Sequence, residues 1–167
     1  DLQRLMTDIS TPSIEYNANN YQLQLDAKIA VYRNALGALG DYSVTIYPSA
    51  PLNFRMRAEF RIWHEHGSAY YAMNRSGEKR PYIIHGFPIG GALINTLMPQ
   101  LLGAINASPV LSQRLFSAEY LTTTSGEALI TLIYHRPLDA IWESEALGLQ
   151  KTLGISIIGR SRKQKIV

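Results

Sequence analysis

A chain of 167 residues is long enough for one domain with its own core and short for two. With 46% hydrophobic and 17% charged residues it has the make-up of an ordinary folded protein, and no apolar run approaches the ~20 residues that crossing a bilayer takes. The absence of cysteine excludes a disulfide framework, a thiolate nucleophile and a cysteine metal site, while a net charge of +3 permits a nucleic-acid partner without demanding one.

No positively charged leader precedes a hydrophobic segment, so cytoplasmic residence away from any membrane is the expectation. Met6 reads as the native initiator, which makes Asp1 to Leu5 foreign to the native chain. From Met6 to Asn20 the sequence is rich in Ser, Thr, Asn and Pro without periodicity, so residues 1–20 are expected to form a flexible leader and 21–167 the folded domain. Asn19 with Gln22 three positions on marks a helix start. Leu25, Ile29, Tyr32, Leu36 and Leu39 form one apolar stripe, which predicts an amphipathic helix packed on a neighbour, punctuated by Gly37 and Gly40.

Pro48 to Asn53 is a connection, and the most informative stretch follows it. From Phe54 to Ile62 the residues alternate: Phe54, Met56, Ala58, Phe60 and Ile62 on one parity, Arg55, Arg57, Glu59 and Arg61 on the other. Period two predicts a strand with one face in a core, and alternate side chains on it stand about 6.5–7 Å apart. A row of arginines suits a polyanion, although a solvated strand face with incidental salt bridges has the same pattern. His64-Glu65-His66-Gly67 turns the chain, Ala69 to Met73 returns as the hairpin partner, and Tyr82-Ile83-Ile84 is a third short strand.

Pro88 is expected to open a second helix with the stripe Leu93, Ile94, Leu97, Leu101 and Ile105, kinked or divided at Pro99. Phe116 to Thr124 and Glu127 to His135 predict a second hairpin about a two-residue Ser125-Gly126 turn. Asp139 caps a third helix with the stripe Trp142, Ala146, Leu149 and Leu153, closed by Gly154, before a last strand at Ile155 to Ile158. This succession predicts an α+β domain: an antiparallel or mixed β-sheet with about three helices on one face.

Aromatics and cations recur together, which is how proteins hold unpaired RNA, cations tracking phosphates while rings stack on bases. Arg114-Leu115-Phe116 and Tyr134-His135-Arg136 lie at the two ends of the second hairpin and should be neighbours across it. The run Gly159-Arg160-Ser161-Arg162-Lys163-Gln164-Lys165 puts four cations in seven residues after a strand, a candidate phosphate-binding surface or merely a solvated end. Phe116 itself has core as its commoner fate. His64 and His66 share a strand face but lack a third ligand, so no metal site is expected.

The run Phe54-Arg55-Met56-Arg57-Ala58-Glu59-Phe60-Arg61-Ile62-Trp63-His64 resembles the signature near the start of the tRNA (uracil-5-)-methyltransferases, which make 5-methyluridine in the T-loop of tRNA. The similarity continues collinearly through Phe87-Pro88, Leu93-Ile94-Asn95, Leu97-Met98, Pro109-Val110-Leu111, Leu115-Phe116, Tyr120-Leu121-Thr122-Thr123, Tyr134-His135 and Ile158-Gly159-Arg160, most of the chain from Tyr21 onward. The resemblance implies that Phe116 is an aromatic contact to T-loop bases and that Arg61 and His135 face the RNA. Met73-Asn74 and His85-Gly86 depart from the family pattern, as does a longer leader.

Members of that family use a cysteine thiolate on C6 of the uracil, S-adenosylmethionine as methyl donor and a carboxylate base. This chain has no cysteine and no recognisable glycine-rich cofactor turn, so no catalytic residue and no bound cofactor are expected in it. The resemblance implies an RNA-recognition part whose Rossmann-like catalytic half lies C-terminal to Ile166, with Arg55, Arg57, Arg61, Phe116, His135, Arg160, Arg162 and Lys163 as the RNA contacts. Its expected partners are the T-arm of tRNA, that catalytic half and, through the face the half would cover, a second copy. A standalone RNA-binding or RNA-remodelling module and a protein-interaction domain are the alternatives.

Overall fold

The computed structural model describes residues 16–37, 39–40 and 43–166, so most of the expected leader lies outside the described residues. A 3-10 turn at Ala18–Asn20, capped by the Asn17 side chain, runs into α1, Tyr21–Gly37. There follow β1 Arg57–Glu65, β2 Ser68–Met73, β3 Tyr82–Ile83, α2 Ala92–Ala107, α3 Pro109–Ser112, β4 Leu115–Thr122, β5 Ala128–Tyr134, α4 Ala140–Leu153, β6 Ser156–Ser161 and β7 Gln164–Ile166. None of the described helices is long and apolar enough to cross a membrane.

The strands form one sheet in the order β3-β2-β1-β4-β5-β6-β7, an α+β architecture. Every pairing is antiparallel except β5 with β6, which run parallel because α4 carries the chain back across the sheet between them. At the β1–β2 turn His66 and Gly67 both adopt positive φ, 51° and 79°, the backbone that a two-residue hairpin turn requires.

The alternation of β1 is realised. Ala58, Phe60 and Ile62 are buried with Tyr71, Ala118, Tyr120, Ile130, Leu132 and Ile157 from the neighbouring strands, and α2 and α4 close over this face. Phe60 packs edge-on against Tyr71, Phe87 and Tyr120. The Tyr71 hydroxyl donates to Met98 O at 2.8 Å and lies 2.5 Å from the Tyr120 hydroxyl, so two buried phenols satisfy each other and the helix backbone.

Four expectations are corrected. Helix α1 forms but buries none of its residues: Leu23 and Tyr32 are 73% and 57% exposed, and the predicted stripe meets no core among the described residues. The second helix starts after Gly91, not at Pro88, and runs unbroken through Pro99. A mid-helix proline costs ~3 kcal/mol. Ile94, Leu97, Met98, Leu101 and Ile105 are buried on both sides of it, each worth about 1.5–3 kcal/mol, and packing outweighs the proline. The second hairpin closes by Thr123 N donating to Glu127 O, leaving a three-residue turn with Gly126 at φ 96° instead of a two-residue one. The C-terminal basic run is no tail after a strand: Arg160 and Ser161 lie in β6 and the chain folds back at Arg162 and Lys163 into β7.

Candidate nucleic-acid interface

The packed helices cover one face of the sheet, and among the described residues no helix packs on the other. On this open face the side chains stand in rows across the strands. One row runs Arg61, Ser117, Ile133, Arg160, Lys165 through β1, β4, β5, β6 and β7. Arg61 and Arg160 therefore share a row, three strand spacings or roughly 14 Å apart, although 99 positions separate them in sequence. The next row pairs Glu59 with Glu119, and the row beyond pairs Arg57 with Leu121.

A β-bulge between Leu115 and Ser117 places the aromatic group. Leu115 is buried in the core, whereas the extra residue, Phe116, is half-buried on the open face beside Ser117. Its ring stacks on His135 with centroids 4.2 Å apart and planes 22° apart. The Arg61 guanidinium carbon lies 5.0 Å from the same ring centroid and 5.8 Å from that of Trp63, both within cation–π range. His135 N donates to Arg114 O at 3.0 Å, so the two ends of the second hairpin do meet. The fold thus brings together Arg61, Phe116 and His135.

Beside this stack, His135 lines a cleft of about 780 Å³ together with Ile133, Tyr134, Pro137, Arg160, Ser161 and Arg162. Lys163, at φ 65° on the tip of the last hairpin, lines an adjoining hollow with Arg160 and Lys165. Six of the eight residues singled out from sequence, Arg61, Phe116, His135, Arg160, Arg162 and Lys163, therefore lie in one continuous region. Arg55 and Arg57 do not join it. Arg57 is four residues up β1 from Arg61, about 13 Å away, and Arg55 precedes the strand, its backbone bonded to Ile89 and Gly91.

Some cations near the region serve the fold. Arg136 donates to Gln113 O, Pro137 O and Val110 O at 3.0, 3.0 and 2.6 Å, tying the end of β5 to the turn around α3. His64 holds Leu115 O at 2.8 Å through Nε2, and Glu65 pairs with Arg80, so the His64-Glu65-His66 run is divided among separate contacts; no metal-binding cluster occurs among the described residues.

What sequence reading missed is Ser117 and the shared row of Arg61 and Arg160. The bulge that sets Ser117 beside Phe116 leaves no periodic trace, and the parallel β5–β6 adjacency spans a helix.

The family described as tRNA (Uracil-5-)-methyltransferase matches residues 20–167. Proteins described as tRNA/tmRNA (uracil-C(5))-methyltransferase are similar: that of Cellvibrio japonicus is 46% identical over 153 residues, that of Chromohalobacter salexigens 46% over 164 and that of Acinetobacter baylyi 46% over 154. These alignments cover 92%, 95% and 90% of this chain and 42%, 43% and 43% of the relatives, so the chain spans about two fifths of their length. On this match the chain belongs to the tRNA (uracil-5-)-methyltransferase family.

Proposed function

We propose that this chain is the RNA-recognition part of a tRNA uracil-5-methyltransferase, which grips the T-arm of tRNA through the open sheet face and presents the target uridine to catalytic machinery elsewhere in the full-length protein. The observation that carries the reading is the Arg61–Phe116–His135 stack, lying beside the cationic cleft on the sheet face that no described helix covers. Cations along the row of Arg61 and Arg160 hold phosphates on either side of splayed loop bases, and the Phe116 ring offers one of them a stacking surface. Chemistry on C5 of a uracil needs the base out of its stack, and prising the loop open is the work this surface suits.

S-adenosylmethionine is the methyl donor that the proposal assigns to the full-length enzyme. The residues here do not fit it. The glycine-rich connection Gly86–Gly91 leads into α2, but it is filled from within: a Cβ on Gly90 would lie 2.8 Å from Phe87 Cδ1, and Asn95 bonds Phe87 N, Phe87 O and Gly90 O. With no cysteine to attack C6 either, this chain alone is expected to bind RNA and transfer no methyl group. Relatives more than twice as long support this assignment over a standalone module.

The test is fluorescence anisotropy of a labelled T-arm hairpin titrated with this chain at several salt concentrations, against a hairpin of the same stem with a scrambled loop. Loop-selective, salt-sensitive binding is expected. Equal binding to both would reduce this part to a source of charge, and binding to neither would turn the reading to a protein-interaction domain.

A further inference from the structure

Among the described residues, two polar atoms of the open face are buried without a hydrogen-bond partner: Arg61 Nε and Ser117 Oγ. They belong to directly paired residues of β1 and β4, and Ser117 is only 2% exposed. Both residues line a hollow of about 280 Å³ bounded by Glu59, Asn74 and Phe116. At ~30 Å³ per water this is the volume of about nine waters, ample room for a base ring. A serine hydroxyl rotates freely to meet any acceptor within reach, and one buried without an acceptor weakens the fold. No contact within the described sheet uses this hydroxyl.

We infer that this hollow takes the edge of one unpaired nucleobase bearing a ring carbonyl, whose oxygen accepts from both Ser117 Oγ–H and Arg61 Nε–H. The inference rests on the RNA-recognition reading and adds to it a specificity-determining residue. In the free protein both atoms are closed to solvent, with the Arg61 guanidinium lying against Phe116 and Trp63. The guanidinium is a placeholder: the entering base takes its seat on the Phe116 ring, and Arg61 turns to the edge of the base. Uracil, cytosine and guanine carry such an oxygen and adenine does not, so the hollow discriminates against adenine.

The experiment compares this chain with its Ser117→Ala variant in two measurements, thermal melting without RNA and anisotropy titration of the T-arm hairpin and of hairpins carrying one abasic loop position at a time. The variant is expected to melt at the same temperature or higher, to bind the intact hairpin about three- to tenfold more weakly, and to keep the same salt dependence. The difference should vanish on the one abasic hairpin that lacks the recognised base. Equal affinity of variant and wild type, with wild type still loop-selective, would overturn this inference alone and leave the hydroxyl to an ordinary water. A lowered melting temperature would also overturn it, by giving the hydroxyl a role in the fold. Absence of loop-selective binding by the wild type would overturn the RNA-recognition reading along with it.

Discussion

Gly159 lies so close beneath Trp142 that a Cβ built on it would sit 2.2 Å from Cη2 and 2.5 Å from Cζ3 of the indole, and 2.8 Å from Leu138 Cδ1. Trp142 is buried, anchored on α4 by a backbone that the Asp139 side chain caps, and a rigid indole has nowhere to retreat. Gly159→Ala should therefore destabilise the domain by about 3 kcal/mol, the upper end of overpacking effects. In a calorimetric scan this reads as a melting temperature lower by roughly 6–12 °C.

Burial pushes the phenols of Tyr71 and Tyr120 well above the ordinary tyrosine range and that of Tyr134 up to about 12. The folded protein thus keeps these protons past pH 10, where unfolded tyrosines give theirs up. The folded state binds more protons than the unfolded one, so stability is full below pH 10 and falls as pH rises toward 12 and beyond. Each group contributes about 1.4 kcal/mol per pH unit in that window. Urea midpoints at pH 8, 9.5 and 11 should be flat over the first interval and drop over the second. Tyr134→Phe should make the drop shallower, at about 1 kcal/mol of stability at neutral pH for the hydrogen bond to Leu111 O that it removes.

The sheet's inner face was legible because Phe54 to Ile62 alternate without interruption and a one-residue slip would bury three arginines. Asp139 and Gly154 marked the ends of α4 because capping chemistry is local: a carboxylate facing Trp142 N at one end, φ 66° at the other. The stack of Phe116 and His135 was legible only as the neighbourhood of two hairpin ends. Pro99 misled because local propensity says nothing of the apolar residues buried around it, and α1 misled because its stripe meets none of the described core. That Arg61 and Arg160 share a row is a product of strand order, which no local pattern encodes.

Phe116→Ala removes the ring that both His135 and Arg61 contact while leaving the core intact, since Phe116 is the extra residue of a bulge. Loss of a base-stacking aromatic is worth ~1–3 kcal/mol, so affinity for the T-arm hairpin should fall at least about fivefold. The fall should be small for the scrambled loop, and the melting temperature of the free protein should hardly move. Both are readable from the same anisotropy titration and a circular dichroism melt.

Replacing Arg160, Arg162, Lys163 and Lys165 together by Gln tests the other half of the interface. These exposed side chains flank the cleft and its neighbour. Binding should weaken alike for intact and scrambled loops. The slope of log affinity against log salt should become shallower, by up to ~0.7–0.9 for each phosphate no longer neutralised.

The direct pairing of Glu59 with Glu119 sets the path that an RNA bound as proposed would take. Two carboxylates side by side form a fence across β1 and β4, with Arg57 on one side and Arg61 on the other. A phosphate chain laid lengthwise along β1 would have to climb over it, against like-charge repulsion, whereas one laid crosswise from Arg61 to Arg160 never meets it. The backbone should thus travel perpendicular to the strands, leaving Arg55 and Arg57 stranded beyond the fence. Their double replacement by Gln should change T-arm affinity by no more than about twofold, the scale of an exposed charge at a distance, and Glu59→Gln with Glu119→Gln should open a second, lengthwise route that raises affinity for RNA of any sequence.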